Sequence, residues 1–194
     1  MQKSEAEKSI EDIKKMLKET EEEVRRARKN YVDYQLIWGI LVLAGIGLNI
    51  LFLKLRFFAW ITIGWFLLMG IGIILSYGIG KRQFRETGIT TFVSKVIVKI
   101  WLSTGIGMML IILFAYVSPE FNFALIPAFL AILVGIALFI ESFLCSWRFL
   151  SFVAPLWWIG AIIMAIYPEN SLYFYAGLIV LTYIIPAILV KIKG

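Results

Sequence analysis

FNFALIPAFLAILVGIALFI, residues 121–140, runs for twenty residues without a formal charge. At 1.5 Å of rise per residue, an α-helix of that length spans about 30 Å, the thickness of the hydrocarbon core of a bilayer. Backbone polar groups in lipid must be satisfied within their own segment, so such a run is read as a membrane-spanning helix.

Working outward, five more uncharged runs of 18 to 24 residues appear: Tyr34–Leu53, Phe57–Gly80, Ile100–Val117, Phe149–Tyr167 and Ser171–Val190. Together they predict an all-α polytopic membrane protein, with six transmembrane helices over residues 34–194 and a cytoplasmic amphipathic helix over residues 1–33. The bulk composition agrees. Hydrophobic residues make up 61% of the 194 and charged residues only 16%, where a soluble domain carries about 25%. The mean hydropathy of +0.88 leaves more apolar surface than so short a chain can bury in itself.

Lysine and arginine set the expected orientation. Lys3, Lys8, Lys14, Lys15, Lys18, Arg25, Arg26, Arg28 and Lys29 precede the first run. Lys81, Arg82, Arg85, Lys95, Lys99, Arg148, Lys191 and Lys193 fall on the same side, and only Lys54 and Arg56 on the other. Both termini are therefore expected in the cytoplasm, with the bacterial plasma (inner) membrane as the location. Trp38, Trp101 and Trp147 near one boundary, and Trp60, Tyr116 and Tyr173 near the other, form aromatic belts. The short outer loops carry Lys54, Arg56, Glu120 and Glu169, which are expected to pair.

The amino-terminal segment has a different character. Ile10, Ile13, Leu17, Thr20, Val24, Ala27, Tyr31 and Tyr34 follow alternating steps of three and four, a heptad seam. Acid-first pairs such as Glu11/Lys15 and Glu21/Arg25 support the helix at about 0.2–0.5 kcal/mol each. Arg25, Arg26, Arg28 and Lys29 are placed to anchor at lipid headgroups, while the acidic residues before them would be repelled. Two readings follow: an amphipathic helix folded back on its own cytoplasmic loops, or a coiled coil that self-associates or binds a protein partner.

Within the runs, Gly72, Ser76 and Gly80 form a small-residue face for close helix packing, either inside the bundle or between copies. Ser151/Pro155 and Thr182/Pro186 each pair a proline with a hydroxyl four residues earlier, and kinks are expected there that could open an inner-leaflet cavity. Glu141 and Arg148 are read as an ion pair anchored at the membrane boundary, and Asn49 as an interhelical hydrogen-bonding group.

Histidine is absent and Cys145 is the sole cysteine, which removes the usual metal ligands and any histidine-based catalytic scheme. No phosphate-cradling loop appears either. Neither a catalytic residue nor a metal or other cofactor is expected, and nucleic acid is not an expected partner. The lipid bilayer is.

Three stretches give the chain its likeness to known sequences: the charged helix running into Tyr31-Val32-Asp33-Tyr34-Gln35-Leu36-Ile37-Trp38-Gly39, the basic Lys81-Arg82-Gln83-Phe84-Arg85 through Ile100-Trp101, and Arg148-Phe149 with Trp157-Trp158, Pro168-Glu169 and Tyr183-Ile184-Ile185-Pro186. On these the chain resembles a family of uncharacterised bacterial six-span integral membrane proteins with a charged N-terminal helix. That resemblance implies the same six-span fold and, from the frequent neighbouring winged-helix regulator, a part in signalling or stress response. The expected function is a non-enzymatic regulatory or interaction component acting through the N-terminal helix. The alternative is a small oligomeric channel or transporter.

Overall fold

The computed structural model describes residues 5–87, 92–144 and 148–193, and every long element among them is helical. They are α1 (Glu5–Leu55), α2 (Phe58–Thr87), α3 (Phe92–Val117), α4 (Ile126–Leu144), α5 (Arg148–Ile166), α6 (Ser171–Ile179) and α7 (Ile185–Lys193). A π-turn, Val180–Ile184, joins α6 to α7, so the two form one span. Six stretches are long and apolar enough to cross a membrane: Val32–Leu55, Phe58–Arg82, Phe92–Val117, Phe123–Leu144, Phe149–Ile166 and Pro168–Ile192. This is a multi-pass membrane protein. An even number of spans puts both termini at one end of the bundle.

The predicted boundary at residues 33 and 34 is no break in the chain. α1 is a single helix of 51 residues, about 77 Å long. No glycine or proline precedes Gly39, so nothing interrupts the i→i−4 ladder between the charged segment and the first span. Its far end closes on Arg56 in the left-handed region (φ 59°), with Phe57 N–H donating to the Phe52 carbonyl at 2.9 Å. This terminating turn is usually made by glycine.

α4, α5 and the α6–α7 span form the core, where Ala131, Leu138, Leu150, Ala154, Trp157 and Met164 are buried. α1 closes this core on one side through Ile46, with Val42, Leu43 and Ile50 packed behind it. α2 packs mainly on α1, and α3 mainly on α4. Very little of α2 or α3 is buried, so their apolar faces are left to lipid.

Three expectations change. The third span begins at Phe92 and not at Ile100, because Lys95 and Lys99 continue the helix as exposed side chains at its end. α5 runs from Arg148 to Ile166 with Pro155 inside it and Ser151 exposed. The fourth span runs to Leu144, which carries Glu141 inside it. Finally, no ion pair within 4.0 Å joins Lys54 or Arg56 to Glu120 or Glu169 among the described residues. The turns following α3 and α5 are neighbours, which brings the two acidic loops together and not acid to base.

Candidate functional site

α1 meets α2 as an antiparallel pair. Trp65 packs on Gly45, Trp38 and Leu41 on Gly72, and the Tyr34 hydroxyl lies beside Gly80. Trp38 Nε1 donates to Ser76 Oγ at 3.1 Å. Glycine is needed at position 72, since a Cβ there would sit 2.8 Å from the Trp38 ring. The Gly72/Ser76/Gly80 face is therefore occupied within the chain by Tyr34, Trp38 and Leu41.

That register places Thr87, the end of α2, level with about Val24 of α1. The first twenty or so residues of α1 extend about 30 Å beyond α2. On this extension Ile10 is 52% exposed and Ile13 54%. The side chains of Leu17, Val24, Arg25, Arg26, Arg28 and Lys29 lie outside those described, as does that of Arg148, so the Glu141/Arg148 pairing lies there too.

Beneath the extension lies a buried polar layer. Gln35 is 2% exposed, and among the described residues neither its amide nitrogen nor its oxygen has a hydrogen-bond partner. One turn further on, Gly39 faces Ile184 and Tyr183 of the π-turn, and a Cβ there would approach Ile184 Cδ1 to 2.7 Å. Glu141 is fully buried, and its Oε2 accepts from Trp101 Nε1 at 3.3 Å. Glu141 thus faces the protein interior, three residues before the end of α4 at Leu144.

The Thr182/Pro186 arrangement is not a simple kink. The π-turn carries Ile185 N–H to the Val180 carbonyl, an i→i+5 bond just before the residue that has no N–H to give. Thr182 Oγ1 donates to the Leu178 carbonyl at 2.6 Å and accepts from Trp157 Nε1 at 3.1 Å. Trp157 also stacks edge-on against Tyr175 and Tyr183. Two apolar surface grooves, lined by Leu110, Phe114 and Phe129 and by Ala128, Trp158 and Ala165, lie toward the end opposite the termini. Asn49 is half-buried and makes no side-chain hydrogen bond among the described residues.

Gln35, the Trp101–Glu141 bond, the Trp157–Thr182 bond and an Asp33–Lys191 ion pair were not foreseen. A signal existed for the first: an amide one turn before a glycine in an otherwise apolar run. Comparison with family models, curated proteins and solved structures found no match to this chain.

Proposed function

We propose that this protein is a non-enzymatic regulatory or interaction component of the bacterial inner membrane, with both termini cytoplasmic, that works through its N-terminal helix. The observation that carries the reading is the unbroken α1, which extends Ile10 and Ile13 beyond the rest of the bundle. An isolated helix of about twenty residues is marginal in water, and its exposed isoleucines gain from being covered. Cross-linking of the full-length protein in membranes, with and without residues 5–24, tests this. Helix-dependent adducts are expected, and their absence would sink the reading. Reporter fusions after residues 30 and 194 should report cytoplasm, and fusions at 119 and 169 the exterior.

The second reading, a small oligomeric channel or transporter, is favoured by the buried Glu141 and Gln35. Polar groups inside a membrane bundle are costly and are commonly retained for function. It is tested by ion flux through liposomes holding wild-type or Glu141→Gln protein, with loss of a measurable flux as the expected result under that reading.

A further inference from the structure

The packing of α4 on α5 leaves a groove on the lipid-facing side of the bundle. Ala128 and Ala161 are buried and form its floor, while Phe129, Ile132 and Ile162 are exposed and rise beside them as walls. One methyl from each helix cannot fill the space that these larger neighbours enclose, and a hollow of about 410 Å³ remains. Trp158, seated over Gly135 and against Phe139, closes it near the middle of the membrane. The other end opens at Leu125 and Ala165, where α4 begins and α5 ends. At helical rise the groove from Leu125 to Ile132 is about 10 Å long. Its volume is that of a ligand site, commonly about 300–1,000 Å³. Its lining offers water almost no hydrogen bonds, and it faces a layer of acyl chains.

Charge stands at the open end. The turn Pro168–Asn170, which carries the exposed Glu169, touches Phe123–Leu125. Glu120, also exposed, lies five residues before Leu125. The opposing charges on this side of the membrane are Lys54 and Arg56. They belong to the turn between α1 and α2, and those helices pack chiefly on each other, with α1 also meeting α3 and the α6–α7 span. Among the described residues neither cation is within 4.0 Å of Glu120 or Glu169, so both carboxylates are free to face a ligand.

We propose that the α4–α5 groove binds one acyl chain of a phospholipid whose headgroup carries a primary ammonium, the chemistry of phosphatidylethanolamine, in the leaflet opposite the termini. The alanine floor lets that chain sink between the helices, and Glu120 and Glu169 accept charge-assisted hydrogen bonds from the ammonium. The same carboxylates reject phosphatidylglycerol, whose headgroup has no positive charge to set against its phosphate. They also disfavour a second copy, since a two-fold contact through this face would bring each acidic mouth against its counterpart. The site does not involve the N-terminal helix, so it stands or falls separately from the regulatory reading.

The test mixes the full chain in detergent with equal amounts of phosphatidylethanolamine and phosphatidylglycerol and counts bound lipids by native mass spectrometry. Phosphatidylethanolamine should be favoured by about fivefold or more, the scale set by exposed charge pairs. Glu120→Gln with Glu169→Gln should bring the ratio close to one. Ala165→Phe, which fills the open end from an exposed position, should remove most of the bound phosphatidylethanolamine while circular dichroism stays unchanged. Phosphatidylethanolamine with a diazirine in its acyl chain should label Phe129, Ile132 or Ile162. Equal binding of the two lipids by the wild type, or a ratio that the carboxylate substitutions leave unmoved, would overturn the proposal. A ratio that moves instead with Lys54→Gln and Arg56→Gln, or labelling confined to other spans, would place the lipid elsewhere and overturn it as well. A disulfide between Ile162→Cys copies in a Cys145→Ser background, in discs holding two copies, would make the second copy the occupant.

Discussion

Asp33 Oδ1 lies 2.8 Å from Lys191 Nζ, so the start of the first span is tied to the end of the last. Both side chains are about half exposed, at 48% and 53%, and an ion pair in that setting contributes only about 0–1 kcal/mol. Its value lies in position. Asp33→Asn should lower thermal stability in detergent only slightly, and the loss should shrink in high salt. Asp33→Cys with Lys191→Cys in a Cys145→Ser background should be joined within one chain by a short bis-maleimide or bis-methanethiosulfonate cross-linker, whose span matches a lysine–aspartate pair. Failure of that cross-link would mean that the two ends of the bundle are not apposed.

Gly70 and Gly72 offer a matched pair of tests on α2. A Cβ at Gly72 would meet the Trp38 ring at 2.8 Å, whereas nothing lies within 4 Å of one at Gly70. Gly72→Leu should cost about 1–3 kcal/mol by overpacking the α1–α2 contact. Gly70→Leu should be near neutral, since the added side chain enters lipid. Steric-trapping measurements in bicelles would compare them, and equal losses would rule out the described register.

Trp157 Nε1 and Thr182 Oγ1 form a buried hydrogen bond at 3.1 Å. A double-mutant cycle of Trp157→Phe and Thr182→Val should return a coupling energy of about 0.5–1.5 kcal/mol, in line with other interhelical bonds in membranes. Additive losses would mean that the indole and hydroxyl do not act as a pair.

Gln35 yields a prediction of the opposite sign. An amide buried without partners costs about 1–3 kcal/mol, which an apolar side chain of similar shape avoids. Gln35→Met should therefore raise the unfolding temperature. A destabilised Gln35→Met would show that the amide has a bound partner in the membrane, which would strengthen the transport reading.

The six spans were legible because bilayer thickness and the absence of charge leave few alternatives. Their ends were not. Glu141 follows an uncharged run that ends at Ile140, yet α4 continues past it to Leu144, with the carboxylate buried against Trp101. Lys95 and Lys99 were read as connection, but exposed lysines at a helix end cost little because their long stems reach the surface. The heptad spacing from Ile10 to Tyr34 suggested one seam for one partner. Of that seam, Tyr34 meets the Ser76 carbonyl of α2 while Ile10 and Ile13 are exposed, and a linear pattern does not reveal which neighbour each position meets. The π-turn left no mark in composition, only Pro186 at the place where an N–H is missing.

The contacts of α1 with the π-turn, α6 and α7 also govern the order of assembly. α1 must meet the α6–α7 span, so the bundle cannot close until that span has been made. Until then Gln35 has no protein wall to hide behind, and the nascent first span carries an unsheltered amide in the membrane. The α1–α2 hairpin, held by Trp38, Gly72 and Gly45, is local in sequence and can form at once. Biogenesis therefore passes through a half-built stage in which a finished hairpin waits beside an incomplete core. That interval is when this chain is most open to degradation or to capture by an insertion chaperone.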